Sequence, residues 1–285
     1  MSMQRMFSCM VLCSLLFVSS VAFGEGAQTI AGSSALSGLS ESSEDGQRKG
    51  FFYLADDFSQ LSILPSYTFG APSGLVPGFG TVFVGIGGTV NGRSEPRVDG
   101  GMSLGGGFGD PINAIGGYAA IEIGSVSPSD GGEFDRGQLA LGIGHTFADF
   151  GLGVSVGFVG LDLWHNSTEN EILDPSFYFA VSKLFANDIA PVILTAGAGN
   201  EAFGTVTEES DHDRKYEIQE FLAAAVYVLP QVSLVADYTS GVTTAGVSIV
   251  PLPRIPVVLG LAANDIFQQD DGINALITLG FGYAF

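Results

Sequence analysis

From Gly80 onward the chain alternates apolar residues with small or polar ones, in runs of about ten to fourteen residues closed by turn signals. The last run is the clearest. Ala275, Ile277, Leu279, Phe281, Tyr283 and Phe285 form one face, and Leu276, Thr278, Gly280, Gly282 and Ala284 form the other. Period-two alternation is what a β-strand shows when its two faces meet different surroundings. The same reading gives strands at 80–90, 97–107, 113–126, 136–147, 151–164, 176–186, 191–203, 216–228, 231–239, 242–250, 256–263 and 273–285, twelve in all. In 136–147, Leu139, Leu141, Ile143 and Phe147 stand against Gln138, Ala140, Gly142, Gly144 and Thr146. In 151–164 the phase slips after Phe158, so Gly157 or Gly160 is expected to host a β-bulge.

The links between strands sort into two kinds. Gly109-Asp110-Pro111, Ala148-Asp149-Phe150, Asn187-Asp188, Pro230-Gln231 and Pro253-Arg254 are tight turns, one at every second position. Most links between them are longer and acidic: Ser127 to Asp135, His165 to Pro175, Thr205 to Lys215 and Asn264 to Asp271. Asn91 to Pro96 is shorter, and Ser240-Gly241 is barely a turn. An even number of strands that run up and down returns both ends of the sheet to one side.

Ahead of the strands the texture is different. Residues 51–79 are aromatic and apolar but broken by Pro and Gly, with no clean period. Residues 25–50 are rich in Ser, Gly and Glu and read as a flexible leader. Arg5, the apolar run Met6 to Val21 and the small residues around Ala22-Phe23-Gly24 give residues 1–24 the form of a secretory signal peptide. Both cysteines, Cys9 and Cys13, fall inside it, so the exported chain is expected to have no disulfide and no thiolate metal site. The formal net charge of −20 argues against nucleic acid as a partner, because phosphate binding requires the opposite sign. Only 14% of residues are charged and 41 are glycine. Beyond the leader no run of about eighteen apolar residues occurs, which leaves strands as the means of crossing a membrane.

Alternation, turn asymmetry and the closing aromatic strand together resemble bacterial outer-membrane β-barrel proteins, at the level of a porin-like class and over residues 80–285. The resemblance implies an all-β, transmembrane, antiparallel up-and-down barrel of about twelve strands in the outer membrane, with both ends of the sheet toward the periplasm. It also implies that Phe281, Tyr283 and Phe285 serve as an assembly signal for the barrel-insertion machinery. Aromatics near strand ends, among them Phe108, Phe147, Trp164, Phe177 and Phe185, fit girdles at the two lipid interfaces.

The expected inner face is mostly Gly, Ala, Ser and Thr, with Glu122, Asp162 and Asp237 as its charged members. Carboxylates are costly in lipid, so all three should face inward, as a solvated wall, as partners of an inward Arg, or as a cation-preferring constriction. Small lumen residues leave volume. Phe51, Phe52, Tyr53, Phe58, Tyr67 and Phe69 are hard to place in water, so 51–79 is a possible plug, or else packs under the barrel mouth. The acidic cluster Glu208, Glu209, Asp211 and Asp213 lacks calcium-loop spacing, and His165 and His212 stand alone, so no metal and no cofactor is expected.

A lipid hydrolase would need a serine and histidine together on one face. The nearest pair, His145 and Ser155, phases to opposite faces, so enzymatic activity is not expected. The preferred function is a porin-like channel for passive diffusion of small solutes or ions, with mild cation preference. The alternative is a non-conducting surface, structural or adhesion protein.

Overall fold

The computed structural model describes residues 58, 61–91, 98–124, 136–165, 175–187, 189–203, 218–268 and 273–285. The signal-peptide reading of 1–24, the leader 25–50, the aromatics Phe51, Phe52 and Tyr53, and most of the long acidic loops (with Glu208, Glu209, Asp211, His212 and Asp213) lie outside these residues.

The strands are β1 (Thr81–Asn91), β2 (Val98–Gly109), β3 (Gly116–Gly124), β4 (Arg136–Phe147), β5 (Leu152–His165) and β6 (Ser176–Phe185), followed by β7 (Val192–Gly199), β8 (Gln219–Leu229), β9 (Val232–Thr239), β10 (Val242–Ile249), β11 (Val257–Asn264) and β12 (Asn274–Ala284). Each pairs antiparallel with its neighbours in sequence. β12 returns to β1 with Thr81 opposite Ala284 and Asn91 opposite Asn274, so the sheet is a closed twelve-stranded barrel. Closure leaves no edge strand with unpaired backbone groups. No helix among the described residues is long and apolar enough to cross a membrane.

Burial follows the period. Along β6, Ser176, Tyr178, Ala180, Ser182 and Leu184 are buried, while Phe177, Phe179 and Phe185 are exposed. β12 turns Ile277, Leu279, Phe281 and Tyr283 outward and Leu276, Gly280 and Gly282 inward. The outward band is apolar and carries the end-placed aromatics Phe108, Phe147, Trp164, Phe177 and Phe185, all exposed, in the form taken by outer-membrane barrels.

Three local departures from strict alternation have physical causes. The β4–β5 register shifts between Leu139 and Leu141, where Gly160 adopts a φ of 82°. An L side chain is strained there, so glycine is what lets the bulge keep Val159 inward and Leu161 outward. β3 starts at Gly116 rather than near 113, because Asp110 holds the preceding turn. Its carboxylate accepts from the N–H groups of Ile112 and Asn113, each at 3.0 Å, and from Asn113 Nδ2 at 2.8 Å. The Asn113 backbone N–H, then its side chain, holds the Asp110 carboxyl below the ordinary aspartate range. β7 ends at Gly199 rather than 203, because residues 201–203 form a short 3-10 turn that folds Phe203 back against Tyr178 and Phe221.

Candidate functional site

The interior of the barrel is occupied by the chain itself. The barrel end at which β1 begins and β12 finishes is the near end, and the other is the far end. The segment before β1 enters the lumen at the near end, where the Ser62 N–H donates to Pro253 O in the β10–β11 turn at 2.8 Å. It climbs along β8, β9 and β10. Tyr227 Oη donates to Pro65 O at 3.0 Å, the Ser66 N–H donates to Ser248 Oγ at 2.9 Å, and Ser233 Oγ donates to Ser66 O at 2.5 Å. At its apex the N–H groups of Phe69, Gly70 and Ala71 converge on one oxygen, Asp237 Oδ2, at 3.0, 3.1 and 3.0 Å.

The descending leg lies on β5 and β6. Ser155 Oγ donates to Ser73 O at 2.6 Å, and the Gly74 N–H donates to Ser182 Oγ at 2.9 Å. The segment leaves where the Gly117 N–H donates to Pro77 O and the Phe79 N–H donates to Gly109 O. A hydrogen bond between the Tyr67 and Ser73 hydroxyls joins the two legs. Ser73 Oγ gives its own proton to Leu75 O, so Tyr67 is the donor.

Packing supports this path on both sides. Ile63, Leu64, Tyr67, Phe69 and Leu75 are buried against Leu184, Ile193, Tyr227, Val250, Val258 and Leu276 of the wall. Ala71 meets a second cluster, formed by Phe83, Tyr118, Val159, Tyr178, Phe203 and Phe221. In that cluster Tyr118 and Tyr178 hydroxyls lie 3.2 Å apart, and Phe83 meets Tyr118 edge-on. Irregular backbone inside a barrel must find its hydrogen bonds from the wall. Four inward serines, one tyrosine and one aspartate supply many of them here.

The charged positions expected from the sequence divide three ways. Asp237 is buried and its carboxylate is taken up by the three apex amides and by Thr239 Oγ1, which donates to Oδ1 at 2.7 Å. It is therefore neither a solvated wall residue nor the partner of an Arg. Asp162 faces His165, whose Nδ1 lies 2.8 Å from Oδ2, at the far end of β5. Glu122 is buried on β3, and among the described residues neither of its oxygens has a hydrogen-bond partner. These three do not form one cluster.

The sequence points to Ser155 only as a candidate nucleophile, and Ser182, Ser233, Ser248 and Tyr227 carry no such signal. Their inward phase is readable, but the partner segment lies up to 182 residues away along the chain. Phe281, Tyr283 and Phe285 face outward; the rings of Tyr283 and Phe285 stack at 6.5 Å, and the Phe285 N–H donates to Gly80 O.

His145 and Ser155 do not meet as base and nucleophile. His145 Nδ1 lies 2.5 Å from Ala114 O and its ring contacts Phe147, whereas Ser155 points into the lumen and donates to Ser73 O. Among the described residues no group of three or more His, Cys, Asp or Glu side chains is arranged to hold a metal ion.

No family model matches the chain, and no curated protein matches it in sequence. Solved structures match it in outline. The KdgM porin shares 9% identity at a TM-score of 0.43, over 72% of this chain and 99% of that one. The outer membrane protein Omp33 of Acinetobacter baumannii shares 11% at 0.39, over 72% and 97%. The outer membrane phospholipase A of Escherichia coli shares 12% at 0.42, over 71% and 92%. The common ground is the closed antiparallel barrel, which porins and a phospholipase both use. At these values the chemistry has to be read from this chain's own wall.

Proposed function

We propose that the chain is a porin-like barrel of the bacterial outer membrane whose channel is held shut by residues 61–76, and that displacing this segment admits small solutes with a preference for cations. The observation that carries the reading is the re-entrant path of the segment, anchored at its apex on Asp237 and on both legs by inward serines. A wall of Gly, Ala, Ser and Thr leaves a lumen wide enough to hold a chain segment. Polar tethers, unlike an apolar core alone, give a bound state that can exchange its hydrogen bonds for water.

The cation preference follows from the inward acidic groups Glu122, Asp162 and Asp237. In this reading residues 1–24 are removed on export, the apolar outer wall meets lipid, and Phe281, Tyr283 and Phe285 engage the insertion machinery during assembly.

The test is single-channel recording in planar bilayers. The full chain should sit at baseline with rare openings, and a variant lacking residues 61–76 should conduct steadily. A folded deletion variant that conducts no more than the full chain would sink the channel reading. A second reading, a permanently closed surface or structural barrel, is favoured by the number of tethers. It predicts steady conduction after deletion but no openings of the full chain at any voltage.

A further inference from the structure

Glu122 has no assigned task in the closure of the lumen. It is 3% exposed, and among the described residues neither carboxylate oxygen meets a donor. The same holds for Ser103 Oγ, also buried and unpartnered. The two are register partners across β2 and β3, and Gln138 is the partner of Glu122 across β3 and β4. Asp162 follows opposite Gln138 on β5. These residues make a polar row across four adjacent strands, on the inner face and toward the far end, while the plugging segment is anchored elsewhere.

Among the described residues no neighbour donates a hydrogen bond to the carboxylate, although Tyr118 and Tyr178 belong to the cluster that holds Ala120 and Ala140 beside it. Gly85 is the register partner of Ser103 on β1 and Gly105 is the next inward position on β2. The methyls of Ala120 and Ala140 are the next inward positions toward the near end on β3 and β4. Arg136 is the next inward position of β4 toward the far end, yet no hydrogen bond joins it to Glu122. A carboxylate taken out of water without a partner is strongly disfavoured in its charged form. Such a carboxyl either holds a proton or is met by a positively charged donor, and only the donor lets it stay ionised.

The number and kind of acceptors narrow that donor. The Glu122 carboxylate and the Ser103 hydroxyl are unpartnered acceptors on adjacent strands, Gln138 is the register partner of Glu122 on β4, and a primary ammonium carries three N–H donors. A divalent metal would need six or more oxygens or a tight octahedral set, which this row does not provide. A quaternary ammonium has no N–H to give to these acceptors. Asp162, with its side chain partly exposed, adds negative charge on the far-end side of Gln138 and favours the approach of a cation.

We propose that Ser103, Glu122 and Gln138 bind the ammonium head of a small primary alkylamine. The site does not depend on whether the barrel conducts, and its test is a binding measurement, not a current. Butylammonium is titrated calorimetrically into the full chain in detergent micelles at constant ionic strength, with tetramethylammonium as the comparison. Folding of each variant is checked by heat-dependent gel mobility. Saturable binding of butylammonium at one site is expected, weakened at least about tenfold by Glu122→Gln and several-fold by Ser103→Ala, with tetramethylammonium neither binding nor competing. No saturable binding, equal binding by a folded Glu122→Gln variant, or effective competition by tetramethylammonium would overturn the proposal. If Glu122→Gln does not fold, Ser103→Ala decides, and unchanged affinity in that variant overturns it equally.

Discussion

At the scale of single residues, Asp237 shows how little of a role can be visible in sequence. Its inward phase on β9 could be read from Leu234, Ala236 and Tyr238 on the other face. Its partners could not, because they are backbone N–H groups as many as 168 residues away, and an amide carries no residue signature. A hydrogen bond to a charged acceptor contributes roughly 1.5–3 kcal/mol, and a buried donor stripped of its acceptor costs about 1–3 kcal/mol. Three amides share one oxygen here, so the individual values do not add. A combined loss of about 3 kcal/mol corresponds to more than about a hundredfold shift toward the undocked apex. Asp237→Ala should therefore speed hydrogen exchange at the amides of 69–71 by about two orders of magnitude. Asp237→Asn keeps an acceptor but loses the charge and should fall between. Exchange at those amides unchanged in Asp237→Ala would mean that packing alone holds the apex.

At the scale of elements, strands were legible and the plugging segment only half so. A strand declares itself because its two faces meet different surroundings, the apolar exterior and the lumen. Nine of the twelve expected runs lie within two residues of the observed ones at both ends, and β8 starts at Gln219, three residues after the expected 216. The misses at the start of β3 and the end of β7 sit where local structure withdraws residues from the ladder: the Asp110 turn and the folded-back Phe203. The stretch ending at Phe79 revealed itself only by exclusion, as aromatic chain without a period. Its path depends on close approaches that leave no pattern.

Gly74 is the sharpest of these approaches. A Cβ there would lie 2.3 Å from the Ser182 amide nitrogen and 2.5 Å from the Gly153 carbonyl oxygen, both backbone atoms of the barrel wall. Strand backbone cannot step aside without breaking the ladder, so the segment must move instead. Gly74→Ala should lift the descending leg and leave the strands paired. Chymotrypsin should then cut at Tyr67 or Phe69, buried in the parent, at least about ten times faster, while gel mobility still reports a folded barrel. Cleavage at the parent rate would show that the leg tolerates the methyl group and is not seated as tightly as the contact distances require.

At the scale of the whole molecule, two separate hydrogen-bonding systems share one wall. The ladders close the barrel through backbone groups of β1 to β12 alone, and the segment is held largely by side chains of the wall, so no strand pairing draws on it. What its removal changes is the field inside. With residues 61–76 absent, Asp237 loses its three amides and joins Glu122 and Asp162 as an acidic group facing the lumen. Such fixed charges in a narrow low-dielectric tube concentrate counter-ions. The deletion variant should therefore pass potassium in preference to chloride. Its zero-current potential in a salt gradient should move toward the non-selective value when Asp237→Asn and Asp162→Asn are combined in the same background.

Screening supplies a second, independent check on that preference. The Debye length is about 10 Å at 0.1 M salt and about 3 Å at 1 M, a change that spans the reach of a wall charge into the lumen. Selectivity set by these carboxylates must weaken steeply across that range. Selectivity set by steric fit to one ion would hold across it, and a preference that survives both the double substitution and 1 M salt would remove the acidic wall as its source.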